Sequence, residues 1–195
     1  FHERSLQGDL AFALARDIQQ GLRDDLKILL MSATLDSEQL TKQLPDAITL
    51  HSEGRSFPIA ISYHAVKKIS RWREHALAVI KTQLQQQASS ILVFLPGIAD
   101  IRYLAEHLTA HMPDNADLFS LYGNLTLKEQ QKIIAPSSTG RHKLVLSTNI
   151  AETSLTIDGI NCVIDCGFEK RAHYDHDSLT NKLVLQQISK ASAIQ

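Results

Sequence analysis

The chain has 195 residues, 44% hydrophobic and 21% charged, which suffices for one sizeable core or two partial ones. Lys plus Arg number 20 against 21 Asp plus Glu, so a formal charge of -1 gives no electrostatic footprint of the kind a strongly basic nucleic-acid binder shows, and composition alone is silent about partners. No apolar run approaches the roughly 20 residues that a membrane-spanning helix needs.

Cys162 and Cys166 lie in the apolar stretch "NCVIDCG" and read as two buried thiols of a reducing, cytoplasmic setting rather than a disulfide framework. The sequence opens on Phe1 with no basic start and apolar middle of a signal peptide, and reads as a piece of a longer protein.

In chain order, residues 9–20 form the first helix candidate, closed by Gly21. The run "KILLM" at 27–31 reads as a strand, and 36–44 as a helix opening on Asp36. Gly54 and Pro58 then interrupt the pattern, placing a domain boundary near 56–66. A helix over 71–87 leads to the strand "ILVFL" at 91–95. The helix at 98–111 repeats Ile98, Ile101, Leu104, Leu108 and Met112 three or four apart, giving one apolar face for a sheet. "LFSLY" at 118–122 is the next strand, followed by a helix at 127–134 that Thr126 and Glu129 open with capping-box spacing. "KLVLS" at 143–147 and "CVIDC" at 162–166 complete the strands. These strands are continuously apolar, as in a parallel sheet covered on both faces. The fold class is therefore α/β, a parallel sheet flanked by helices. Residues 167–187 read as a hairpin with a polar turn near Asp175 to Asn181.

The segment 147–158 crowds Ser147, Thr148, Asn149, Glu152, Thr153, Ser154, Thr156 and Asp158 just past a strand. Ser32, Ala33 and Thr34 follow an earlier strand candidate, and Pro96 and Gly97 another. Ligands of open α/β sheets sit beyond the carboxyl ends of the strands. Hydroxyls, amides and free backbone N–H groups there can hold phosphate oxygens, which points to one groove along that edge carrying a polyanion. Helix caps and turns use the same residue types.

The motifs together resemble a known family. "FHERS" at 1–5 looks like the end of a DExH motif, "SAT" at 32–34 like motif III, "LVFLPG" at 92–97 like motif IV and "LYGNLTLKEQ" at 121–130 like motif IVa. "STNIAETSLTIDG" at 147–159 looks like motif V, and "ISKASAIQ" at 188–195 leads into motif VI. This order resembles the DEAH/RHA group of superfamily 2 helicases along the whole chain, and "HERSLQGDLAFAL" and "SEGRSFP" are similar to a bacterial branch of it.

The resemblance implies RecA-like folding: residues 1–60 as the C-terminal tail of a first RecA-like domain, 61–195 as most of a second, and 167–187 as a hairpin that wedges strands apart. It implies ATP and Mg²⁺ as cofactors, with RNA, single-stranded or duplex, and the remaining helicase domains of the same chain as partners. His2 would join the nucleotide site to Gln195, and Ser32 and Thr34 would couple hydrolysis to strand movement. Gly97, Asn124, Thr148, Asn149 and Arg171 would lie along the RNA, with Lys170 and Lys182 also within reach of phosphates; Thr156 and Asp158 would face the nucleotide ribose.

Departures bear on activity. A Gly-rich phosphate loop, the two acids that hold Mg²⁺ and the arginines of motif VI are not among these residues, so the 195 residues alone are expected not to hydrolyse ATP. Ile134 stands where several relatives carry an aromatic ring that stacks on adenine, which implies loose base selectivity. Two other readings remain open. A metal-binding module would use His107 with His111, or His173, Asp175, His176 and Asp177, but zinc needs three or four converging ligands. A non-catalytic scaffold would bind RNA or a partner without turnover. Trp72 reads as a packing residue at a helix start.

Overall fold

The computed structural model describes residues 6–31, 42, 44–50, 58–86, 89–137, 140–149 and 156–194. They fall into two compact units, one up to Ile59 and the other from Ala60 to Ile194.

In the first unit, helix α1 spans Leu6–Gly21. It closes where the Leu22 and Arg23 amides both donate to Ile18 O, and Gln19 Nε2 donates to Leu26 O at 2.6 Å. Leu10, Leu14 and Ile18, four residues apart, form an exposed apolar stripe. Residues 27–31 differ from expectation: they carry no β-strand among the described residues. Leu29 and Met31 stand exposed, so the layers that would bury this run are not among the described residues. The helix expected at 36–44 lies almost wholly outside the described residues.

The second unit opens with a 3-10 turn at Ile69–Arg71 and helix α2 at Trp72–Gln86. Strand β1 (Ser90–Phe94), helix α3 (Ile98–Thr109), strand β2 (Ala116–Leu121), helix α4 (Leu127–Ile134), and strands β3 (His142–Ser147) and β4 (Ile160–Asp165) follow. All four strands are parallel, in the order β2-β3-β1-β4. The two central strands behave as covered parallel strands do, with β1 buried over Ser90–Val93 and β3 over Lys143–Ser147, whereas at the edges β2 is mostly half-buried and β4 alternates half-buried with exposed residues such as Val163.

The two faces of the sheet carry separate cores. Ile91, Val93, Leu144 and Leu146 pack against Trp72, Leu77 and Ile80 of α2 and Ile101, Leu104 and Leu108 of α3. Leu92, Val145 and Leu121 point the other way, to Ile133 of α4 and Ile157. The chain thus moves outward past β3 on one face and returns on the other, placing a helix on each. At about 25 cal/mol per Å², each fully buried aliphatic side chain contributes roughly 1.5–3 kcal/mol. Beyond β4 a hairpin of β5 (Phe168–Asp175) and β6 (Thr180–Gln187) forms a second sheet, and the short helix α5 spans Lys190–Ile194.

Candidate functional site

Parallel strands give the sheet two chemically different edges. At the carboxyl edge, Asn124 follows β2, Thr148 and Asn149 follow β3, and Gly97 follows β1, in the order the strands lie side by side. Backbone bonds continue across these exits: Thr148 N–H donates to Leu121 O at 3.2 Å, Leu95 N–H to Ser147 O at 2.8 Å, and Cys166 N–H to Phe94 O at 3.3 Å. The exit loops are therefore held as a row, roughly 5 Å from strand to strand. Ser147 is fully buried and its Oγ donates to Thr148 O at 2.7 Å, fixing the turn out of β3.

The α3 N-terminus completes this edge. Gly97 is its N-cap in extended conformation, with no side chain to cap the helix. Three residues on, Asp100 is 1% exposed, a carboxylate in the first turn where the helix dipole favours it. Arg73 of α2 donates to Asp100 Oδ1 through Nε at 2.8 Å and also through its terminal nitrogen. Asp100 Oδ2 accepts no hydrogen bond among the described residues, but Lys170 Nζ of β5 stands 3.4 Å away. A Cβ placed on Gly97 would meet that Nζ at 3.0 Å, so glycine lets the lysine lie across the helix start.

The hairpin leaves the same edge. Asp165 Oδ1 accepts the Gly167 N–H at 2.7 Å, and Gly167 turns the chain at φ +73°. Phe168 then packs on Trp72, ring centroids 5.6 Å apart. Trp72 is 7% exposed and belongs to the core, in keeping with its reading as a packing residue. Alternation along β5 sends Phe168 and Lys170 toward the sheet domain and Arg171, opposite Val184, to the exposed other face. The structure thus brings Lys170, not Arg171, to Gly97. Burial holds the Asp165 carboxyl above its ordinary range and pushes the Cys166 thiol up to about 12, so Cys166 is no thiolate nucleophile. Cys162 and Cys166 are free and half-buried.

The amino edge has a different makeup. Asp158 sits just before β4, and its N–H donates to Ile134 O at the end of α4, 3.4 Å away. Buried Ile157 anchors this stretch in the α4-side core, and Thr156 precedes it, exposed. Lys143, 3% exposed, sends Nζ to Ile133 O at 2.8 Å and to Ala135 O. Burial lowers its pKa, and Asp158 counters with its charge. Arg141 donates to Asp117 Oδ2 at 2.8 Å, which holds the Asp117 carboxyl below its ordinary value.

Gly97, Asn124, Thr148 and Asn149 are thus brought to one edge, whereas Asp158 lies on the other. The expectation of one continuous groove for both sets does not describe this unit. In parallel strands the start of β4 must lie across the sheet from the end of β3. His2, Ser32, Thr34 and Gln195 fall outside the described residues. Sequence reasoning missed Asp100 and Lys143. An acid in register with the apolar face Ile101, Leu104 and Leu108 was the signal for the first, and a lysine in a strand covered on both faces for the second.

The alternative metal clusters are not assembled: among the described residues no group of three or more His, Cys, Asp or Glu side chains could hold a metal ion. His107 Nδ1 lies 2.8 Å from Tyr103 O, while His111 Nε2 lies 3.2 Å from Lys81 Nζ. No helix of the described residues is long and apolar enough to cross a membrane.

A parallel four-stranded sheet with helices on both faces and a hairpin springing from its carboxyl edge defines a RecA-like helicase domain. Residues 68–191 match the helicase conserved C-terminal domain, and the chain belongs to that family. It is 47% identical over 195 residues to the ATP-dependent RNA helicase HrpB of Escherichia coli, covering all of this chain and 24% of that protein. Likeness extends to the human ATP-dependent RNA helicase DHX33, at 34% identity over 207 residues and 29% of its length. A crystal structure of the E. coli DExH-box NTPase HrpB superposes with a TM-score of 0.90 at 46% identity, covering all of this chain and 24% of that one. The chain resembles HrpB within the DEAH/RHA helicases, and spans about a quarter of the length of these relatives.

Proposed function

We propose that this chain is part of an ATP-dependent RNA helicase, in which ATP hydrolysis drives translocation along RNA and unwinding of duplexes. The observation that carries the reading is identity of 47% over 195 residues to the RNA helicase HrpB, in a chain whose strand exits form one row. In this reading residues 1–60 are the C-terminal part of a first RecA-like domain and 61–195 a second. Gly97, Asn124, Thr148 and Asn149 hold the RNA backbone through neutral donors, which suits a net charge of only -1. Arg171, exposed on the hairpin, contacts the strand being parted.

Thr156 and Asp158 take the nucleotide ribose, His2 and Gln195 link the nucleotide to the second domain, and Ser32 and Thr34 couple the two events. Asp158 is exposed and beside the end of α4, where Ile134 stands half-buried, so ribose and base would meet neighbouring residues. Mg²⁺ would be held with ATP by acids outside these 195 residues. Phosphoryl transfer depends on positioned phosphates, metal and compensating charge, so the 195 residues alone do not turn over ATP. The setting is the cytoplasm, where both thiols stay reduced.

The test uses the full-length protein and separate titrations of ADP and single-stranded RNA. Thr148→Ala is expected to weaken RNA binding about tenfold and leave ADP affinity unchanged; Asp158→Ala should do the reverse. Wild-type protein that hydrolyses ATP without RNA stimulation, or variants that shift both affinities together, would overturn the reading.

A further inference from the structure

Lys143 is the buried charge that the proposed function leaves without a task. It lies at the start of β3 with 3% of its surface exposed, and no carboxylate forms an ion pair with it among the described residues. Its backbone N–H is held by Ser90 Oγ at 3.0 Å, tying it to the start of β1. Its ammonium instead donates to the carbonyls of Ile133 and Ala135, which flank Ile134. These are orphan acceptors at the negative end of the α4 dipole, where a cation is favoured. The intervening Ile134 carbonyl accepts the Asp158 N–H. Three successive carbonyls are thus shared between one lysine and the backbone of the residue proposed to hold the ribose.

We propose that Lys143 is a positioning residue for nucleotide: it moors the end of α4 so that Ile134 and Asp158 are presented together to the adenosine half of ATP. This rests on the proposed role of Asp158. The arrangement is over-determined from below, because Ile133 and Ile157 are both buried in the same core cluster. The carbonyl bonds to Lys143 add a polar hold on the last α4 turn that these apolar contacts do not supply. The ammonium is buried with its donors on the α4 carbonyls, so its removal is expected to act through Ile134 and Asp158.

The experiment titrates ADP and, separately, single-stranded RNA into the full-length protein. Lys143→Met keeps the alkyl stem and removes the donor. It is expected to raise the ADP dissociation constant about fivefold while RNA affinity stays within about twofold. An unchanged ADP constant in folded variant protein, or equal losses for both ligands, overturns the inference. Should Lys143→Met fail to fold, Lys143→Leu, which also lacks the donor, is judged by the same criteria. Hydrogen exchange on wild-type protein gives a reading that needs no variant: ADP should slow the Ala135 and Asp158 amides together, and an effect on Asp158 alone overturns the mooring. Wild-type protein that binds RNA but not ADP marks failure of the proposed function itself.

Discussion

The carboxyl and amino edges of one small sheet are built by different means. At the carboxyl edge the chain leaves the strands through glycine, hydroxyl and amide residues, and one acid is sunk behind them: Asp100 is buried, with the partly exposed Arg73 and Lys170 drawn onto it. At the amino edge the cations either meet an acid in an open pair, Arg141 with Asp117, or, for Lys143, donate to carbonyls. One edge offers uncharged donors to whatever comes near. The other is fastened by its cations. A near-neutral chain can thus carry an edge of uncharged donors and an edge fastened by cations on one sheet.

Asp100→Asn should break the comparison most severely, because two Arg73 donors lose a charged acceptor and Lys170 loses its counter-charge. A loss of about 2 kcal/mol is expected, read as a lower thermal midpoint. Hydrogen exchange should quicken in β5 and β6 while β3 stays protected; equal loosening of both would show that the ion cluster does not belong to one edge. Thr126→Ala removes the cap of α4, whose hydroxyl accepts the Glu129 N–H while Glu129 answers with its carboxylate. About 1 kcal/mol should be lost.

The smallest effects should have opposite signs in pH. Asp117 is held below its ordinary pKa by Arg141, so its contribution is present above about pH 4, the unfolded value, and fades as pH falls through the folded one. Asp165 is raised by burial, so ionising it works against folding, and its penalty sets in as pH rises past the same point. In denaturant titrations Asp117→Asn should therefore be less stable than wild type at pH 7, with the difference shrinking as pH falls through the folded value. Asp165→Asn, which still accepts the Gly167 N–H, should be more stable at pH 7 and equal at pH 2. The same sign for both would erase the electrostatic distinction between the edges.

Much of this was legible in the residues. The spacing of Thr126 and Glu129 marks α4 at Leu127–Ile134 because a capping box is a local device, complete within one turn. The hairpin at 167–187 was legible for a similar reason, since Asp175 builds its own turn by accepting the Asp177 and Ser178 amides. The run at 27–31 was not, because an apolar segment becomes a strand only when a neighbour takes its hydrogen bonds. The segment 147–158 misled through contiguity: its ends are eleven residues apart in sequence, yet a parallel crossover carries them to opposite edges. Asp100 and Lys143 were overlooked because each stands in an apolar pattern, where the partner comes from elsewhere in the chain.

The hairpin has a mechanical consequence. Each arm is eight residues long, about 27 Å, while its root is gripped by the Phe168 ring against Trp72 and the Lys170 ammonium over Asp100. A cantilever clamped at neighbouring points multiplies any load at its tip, so a push on Leu179 arrives at the root as torque on the first turn of α3. Stiffness at that joint sets how far the tip swings under a given load.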